Sequence, residues 1–301
     1  MIKPPFLKPG DTIGIAAPGR KVSFQNIEAA ITAFQYWGLK VKLADNLFSE
    51  NHSYLAGTDA ERMSDFQQLI NDPAINAIVC ARGGYGSSRF IDQIDFSPLQ
   101  KNPKWFVGFS DVTAFHLKLF QLGIQSIHGT MPILFSKPES DKSIQGLFEV
   151  LFGQKNNIEF PVSPENKPGK ATGQVIGGNL SLIIDSLATS SEPDTTQKIL
   201  VIEEVDEYRY KIDRMLNHLK RSGKLESLSG LIIGHFTDIL DTELSFGETP
   251  EEIILHHVRE YSYPVAFRFP SGHENPNLSW QHGGEATLVV EKERSLLQFI
   301  N

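Results

Sequence analysis

Short, unbroken apolar runs alternate with stretches of helical period through the first half of the chain. Thr12 to Ala17 reads as a buried strand. Ser23 then stands as a helix cap, and Ile27, Ile31, Phe34 and Trp37 recur at helical spacing until Gly38 stops the helix. Leu39 to Ala44 is a second strand, Thr58 to Ile70 a helix capped by Thr58, and Ile75 to Cys80 a third strand. The third strand runs into the glycine-rich Arg82-Gly83-Gly84-Tyr85-Gly86. Trp105 to Gly108 is a fourth strand, followed by a helix from Asp111 to about Leu122. Strand–helix alternation of this kind predicts a parallel sheet covered on both faces.

The pattern breaks near Gly153. Lys155 to Lys170 holds three prolines with Asn, Ser and Gly and shows no period, which reads as a linker. The chain thus divides into a domain over residues 1–154, a linker over 155–170 and a domain over 171–301. The second domain alternates a helix from about Leu180 to Leu187, a strand Ile199 to Glu203 and an amphipathic helix from about Tyr210 to Arg221. A strand Gly230 to Gly234, a helix Pro250 to Tyr261 and strands near Ala286–Val290 and Leu296–Ile300 complete a mixed α and β set. The fold class is α/β, a parallel-sheet domain joined to a smaller α/β domain.

Composition adds exclusions. The 301 residues are 40% hydrophobic and 21% charged, an ordinary globular balance with room for two domains. A net charge of −8 argues against nucleic acid, whose phosphates draw on clustered Lys and Arg. Cys80 is the only cysteine, so an intrachain disulfide and a thiolate zinc cluster are both excluded. It ends an apolar run and reads as strand core rather than a nucleophile. Met1 to Gly10 has no apolar stretch of signal-peptide type, and no run is long enough to span a bilayer. The expected location is the cytoplasm, away from membranes.

Four segments carry candidate chemistry. In Gly108-Phe109-Ser110-Asp111-Val112 a buried strand turns into a helix with Ser110 at the apex. Ligands gather at the carboxyl ends of strands in open parallel sheets. A serine on such a turn projects its hydroxyl there, with the next N–H free to face an oxyanion. Val112 replaces the second glycine of the usual elbow, and Ser110 or Asp111 also fits a plain helix cap. The three glycines of 83–86 suit a second oxyanion donor or a tight turn; neither dinucleotide nor P-loop spacing is present. Glu203 and Glu204 end an apolar strand, where a carboxylate can orient a histidine. Alternation sends the two to opposite faces and does not choose between them. His273 lies in a Gly/Pro/Asn-rich loop, the setting in which scaffolds carry function. His128 is its one competitor, while His116, His218, His256 and His257 sit on helices and read as packing or surface residues. No histidine spacing suggests a metal site.

Taken together and in order, these motifs resemble the serine L,D-carboxypeptidases that trim murein tetrapeptides, a family that includes the microcin C immunity peptidases. The resembling residues are Ala81 to Gly86, Gly108 to Thr113, Gly177-Gly178-Asn179-Leu180, Glu203-Glu204 with Tyr208-Arg209 and Asp213 to Leu216, and Gly272-His273 with Pro276-Asn277-Leu278. The resemblance covers nearly the whole chain. It implies Ser110 as nucleophile, His273 as general base and Glu203 as the orienting acid. It further implies an oxyanion hole from the N–H groups of Asp111 and Gly84 or a neighbour. The implied fold is a flavodoxin-like N-terminal domain with a smaller C-terminal α/β domain that supplies the acid and the base. No metal or organic cofactor is implied, and a homodimer is. Arg82, Tyr85 and Asn179 are the candidates for holding a small peptide substrate such as a murein tetrapeptide. The family usually carries a Leu-Pro pair before a glycine downstream of the histidine, where this chain has Trp280-Gln281 before His282-Gly283.

Two rivals remain at this level. One is a peptidase of the same kind that cleaves peptidyl-nucleotide antibiotics or related amides. The other is a non-catalytic protein whose two α/β domains clamp a small ligand.

Overall fold

In the computed structural model, which describes residues 1–154 and 157–300, the apolar runs of the first half become parallel strands. In chain order these are β1 (Thr12–Ala16), β2 (Lys40–Leu43), β3 (Ile75–Cys80), β4 (Trp105–Gly108) and β5 (Ser126–His128). The helices among and after them are α1 (Phe24–Tyr36), α2 (Asp59–Asn71), α3 (Thr113–Gln121) and α4 (Asp141–Leu151). The second half supplies β6 (Asn157–Phe160), β7 (Gly169–Asn179), α5 (Leu180–Asp185), β8 (Ile199–Val205), α6 (Arg209–Arg221), β9 (Gly230–Thr237), α7 (Pro250–Val258) and β10 (Val265–Ala266). The last strands are β11 (Trp280–His282), β12 (Glu285–Val290) and β13 (Ser295–Phe299).

Two compact units result: residues 1–155 with 278–283, and residues 156–277 with 284–301. In the first, the sheet order is β11-β5-β4-β3-β1-β2, parallel except for the β11 edge. This is the flavodoxin-like order 2-1-3-4-5, with its switch point between β1 and β3. Strands β1, β3 and β4 are buried on both faces, as their continuous apolar runs require, whereas β2 at the edge is partly exposed. One side is filled by phenylalanines: Phe66 and Phe115 lie 4.8 Å apart, and Phe106 and Phe90 each touch both. Removing one such ring costs ~3–5 kcal/mol. Helix α2 starts with a complete capping box, in which Thr58 and Glu61 satisfy each other's backbone N–H groups.

The second unit holds a mixed seven-stranded sheet, β10-β9-β8-β7-β12-β13-β6. The four strands β10 to β7 run parallel, and β12, β13 and β6 continue the sheet antiparallel. Part of the expected linker is therefore structured. Residues 157–160 pair with β13, and β7 already begins at Gly169, while residues 155 and 156 lie outside the described residues. The reason is local: in β6 only Ile158 and Phe160 point inward, a period too short to stand out among prolines and asparagines. Residues 280–282, where the chain departs from the family's usual Leu-Pro, form the edge strand β11 of the first unit. Trp280 and His282 are fully buried there.

Candidate active site

In the first unit three loops converge at the carboxyl ends of β1, β3 and β4. The Arg20 N–H donates to the Gly83 carbonyl at 3.1 Å. A Cβ on Gly19 would stand 2.6 Å from that same oxygen, and a Cβ on Gly83 3.2 Å from Ser110 Cβ. At Gly19 only glycine allows this approach, and at Gly83 a Cβ would crowd the serine. Ser110 stands at the apex of the β4–α3 turn with φ of 63°, in the left-handed region. That conformation costs a serine ~1–2 kcal/mol, so the surrounding structure must impose it.

The Asp111 carboxylate, next in the chain, ties this turn to the glycine-rich loop. It is 1% exposed and accepts from Ser87 Oγ at 2.7 Å, Ser87 N–H at 3.0 Å and Gly86 N–H at 3.3 Å. Burial lifts its pKa above the ordinary carboxylate value, against the pull of those hydrogen bonds and the Arg62 charge. Arg62 of α2, equally buried, donates to the Gly86 carbonyl at 2.9 Å and to the Pro18 carbonyl, and pairs with Asp59. The sequence offers Asp111 as an oxyanion N–H donor or a helix cap, and shows neither the anchoring role of its carboxylate nor Ser87 and Arg62. Helical period alone marked Arg62 as one position of α2, with nothing to show that its side chain ties two loops.

In the second unit Glu203 and His273 meet. Glu203 Oε2 lies 2.8 Å from His273 Nδ1, with the carboxylate fully buried and the imidazole 20% exposed. The two registers on either side of Glu203 in the β8–β9 pairing differ, a local irregularity at the strand's end. Two glycines make room: a Cβ on Gly234 would come 3.2 Å from Glu203 Cβ, and one on Gly272, at φ of 130°, 3.1 Å from Glu203 Oε2. Asn277 Oδ1 accepts from the Gly272 N–H at 3.1 Å and fixes the loop. Burial pulls the His273 pKa down, but the charge and hydrogen bond of Glu203, with help from Glu204, outweigh it and hold the pKa above the ordinary value. A carboxylate at Nδ1 keeps that nitrogen protonated and leaves Nε2 to exchange a proton with a neighbour.

Glu204 turns the other way. Its carboxylate accepts from Asn179 Nδ2 at 2.9 Å, Ser181 N–H at 2.9 Å, Ser181 Oγ at 2.7 Å and its neighbour's Val205 N–H at 2.9 Å. Asn179 also caps α5 through Leu182. Its side chain thus ties β7, β8 and α5 together. His235 on β9 was not singled out by sequence: its Nδ1 accepts from the Glu274 N–H at 3.2 Å. Burial keeps its pKa below the ordinary value, against the charges of Glu274 and Glu203.

The remaining candidates fall as follows. Arg82 is half-buried and Tyr85 is exposed on the same glycine-rich loop. His128 is wholly buried in β5 and stacks on Trp280 at 4.8 Å. His116 is bonded between Ser126 Oγ and the Gly108 carbonyl, and His257 pairs with Asp213. Cys80 is buried and its thiol pKa is pushed up by burial. Among the described residues no cluster of His, Cys, Asp and Glu is arranged to hold a metal ion, and no helix is long and apolar enough to cross a membrane.

A family model described as the LD-carboxypeptidase N-terminal domain matches residues 13–129. A second, the LD-carboxypeptidase C-terminal domain, matches residues 172–288. A Bacillus subtilis protein named probable murein peptide carboxypeptidase is 34% identical over 98% of this chain and 94% of its own length. The crystal structure of muramoyltetrapeptide carboxypeptidase from Oxalobacter formigenes aligns with a TM-score of 0.88 at 27% identity, covering 96% of this chain and 99% of that one. The microcin C7 self immunity protein MccF shares the fold, with a TM-score of 0.87 at 21% identity over 99% of this chain and 98% of its own.

Proposed function

The chain belongs to the LD-carboxypeptidase family, and from that premise we propose that it releases the terminal D-residue of murein tetrapeptides with Ser110, Glu203 and His273 as its triad. The observation that carries the assignment is the buried Glu203–His273 pair at 2.8 Å, an imidazole oriented for proton transfer. Ser110 is the partner that such a base calls for, because its left-handed backbone holds a hydroxyl at the end of a parallel strand.

The chemistry is acyl transfer in two halves. His273 Nε2 takes the Ser110 proton as Oγ attacks the carbonyl between the L-centre and the terminal D-residue. The N–H groups of Asp111 and of Gly84 or its neighbour Gly83 stabilise the oxyanion. His273 then returns the proton to the leaving amine, and water, activated by the same imidazole, hydrolyses the acyl-enzyme. This requires Ser110 Oγ within about 2.6–3.2 Å of Nε2 when substrate is bound. Arg82, Tyr85 and Asn179 are proposed substrate contacts, Asn179 with the further duty of holding Glu204. We also propose a cytoplasmic homodimer, which cell fractionation and light scattering test.

The direct experiment is mass spectrometry of purified protein with a murein tetrapeptide. Alanine release that disappears in Ser110→Ala supports the reading. Turnover of an aminoacyl-adenylate analogue with no turnover of the tetrapeptide would move it to the immunity type, and no turnover of either would leave a binding protein.

A further inference from the structure

A concavity of about 880 Å³ opens in the first unit beside the glycine-rich loop, walled in part by Arg20, Lys21, Glu50, His52, Tyr54 and Arg82. Its position relative to Ser110 follows from backbone contacts. Arg82 immediately precedes Gly83, which abuts Ser110, and the Arg20 side chain lies directly on Gly84, where a Cβ would come 2.5 Å from Arg20 Cδ. The two arginines that wall the concavity are thus anchored beside two consecutive glycines, the first of which abuts the nucleophile.

Their charges are left uncompensated. Among the described residues neither guanidinium forms an ion pair: Arg20 lies over the Tyr54 ring at 4.9 Å, and Arg82 Nη1 reaches the Lys21 carbonyl at 3.4 Å. Burial, and then the neighbouring Arg20 charge, hold the Arg82 pKa below the ordinary arginine value. Like charges kept together at the mouth of a cleft repel unless an anion joins them, and the planar guanidinium fork suits a carboxylate. The first turn of α1, which also borders the concavity, has no acidic residue to offset the cations. Glu50 is the one acid on the wall, and it is exposed.

We propose that Arg20 and Arg82 together form the subsite for the free carboxylate of the substrate's terminal residue, and so make the enzyme an exopeptidase. This rests on the carboxypeptidase reading and adds to it the group that selects chain ends. The carboxylate of the leaving residue lies one residue beyond the scissile carbonyl, within about 4 Å of chain. That is the neighbourhood in which side chains anchored on Gly83 and Gly84 can reach it. Arg20 itself belongs to a loop that no sequence motif marked.

The test uses Ser110→Ala protein, titrated by calorimetry with a tetrapeptide ending in D-alanine and with its C-terminal amide. Arg20→Gln and Arg82→Gln, each added to it, should weaken the acid-ended peptide by ~10- to 100-fold, as the loss of a charged hydrogen bond does, and leave the amide unchanged. Arg20→Lys should fall between, keeping charge but not the fork. Thermal melting checks that every variant is folded, which the surface position of Arg20 favours. Unchanged affinity for the acid, equal loss for both peptides, or no binding of either peptide by the parent overturns the subsite. Alanine release by the Ser110 enzyme is measured separately. Charge-dependent binding without release would sink the carboxypeptidase reading and keep the subsite, and release indifferent to Arg20→Gln would do the reverse.

Discussion

Glu203 and Glu204 are consecutive on β8, both buried, and they serve opposite faces of it: one meets His273 Nδ1 at 2.8 Å and the other gathers Asn179, Ser181 and Val205 N–H. A strand offers its two faces to alternate residues, so a pair of adjacent acids supplies one carboxylate to the candidate site and one to the frame behind it.

The two acids should therefore fail differently. Glu203→Gln is expected to lower kcat by ~10²–10⁴-fold with little change in melting, since an amide supports the wrong imidazole tautomer. Glu204→Gln should leave turnover nearly intact but melt lower, because an NH₂ group faces donors and a buried mispairing costs ~1–3 kcal/mol. Steady-state kinetics beside calorimetric melting separates them, and the reverse pattern would exchange their roles.

Ser110 combines a proposed chemical role with an observed conformational strain. Ser110→Ala should cut turnover ~10⁴-fold or more while the protein still folds. Ser110→Gly should be equally inactive and yet melt at or above the wild type, because glycine is unstrained at φ of 63° and ~1 kcal/mol is relieved. A glycine variant that melts lower would show that the hydroxyl stabilises the turn.

The pH profile should follow His273. In the proposed mechanism its neutral form is the base, and Glu203 holds its pKa above the ordinary value of about 6.5, so kcat/KM should climb with pH through a midpoint above that value. Glu203→Gln removes the charge that raises it and should shift the residual limb to lower pH. A limb that stays in place would mean that another group is titrating.

Asp111→Asn tests the anchoring of the glycine-rich loop. The carboxylate accepts from Ser87 twice and from Gly86, and an amide in its place turns a donor toward donors. Turnover should fall at least ~10-fold with faster backbone amide exchange at residues 83–87, read by hydrogen-exchange mass spectrometry. Unaltered exchange there would detach the loop from Asp111.

Acid should destabilise the first unit through His116. Burial lowers its pKa to about 4 from the 6.5 of the unfolded chain. Between these values the unfolded state binds the extra proton, so stability is full above about pH 6.5 and declines as pH falls toward 4. His116→Asn should flatten that part of the stability curve in denaturant titrations, and an unchanged slope would assign the effect elsewhere.

Elements with a strong period were legible in the sequence. Strands β1 to β4 of the first unit, the Thr58 cap and the amphipathic α6 are visible as patterns, because burial on one or both faces writes itself into composition, whereas the three-residue β5 is not. Other elements left no such mark. β7 runs through GKATGQVIGG, where small residues leave little apolar signal, and β11 is three residues long. The candidate site shows the same division. Ser110, Glu203 and His273 stand at strand ends and in a loop where motif order identifies them, whereas Arg62, Ser87 and Arg20 act through contacts that local sequence does not encode. Alternation could separate Glu203 from Glu204 but not say which faces a histidine; the family resemblance points to Glu203, and the course of the loop after β10 brings His273 to it.

The return of residues 278–283 to the first sheet bears on how the protein is made. Strand β5 has β11 as its outer neighbour, and β11 follows it in the chain by about 150 residues, from His128 to Trp280. During translation the leading unit can assemble its inner strands early, but its β5 edge stays open, with His116 and His128 uncovered, until residue 282 has left the ribosome. A polypeptide released before residue 280 would carry an unpaired β5 edge, the kind of exposed strand that favours aggregation. Completion of the sheet and arrival of His273 fall within the same few residues of synthesis.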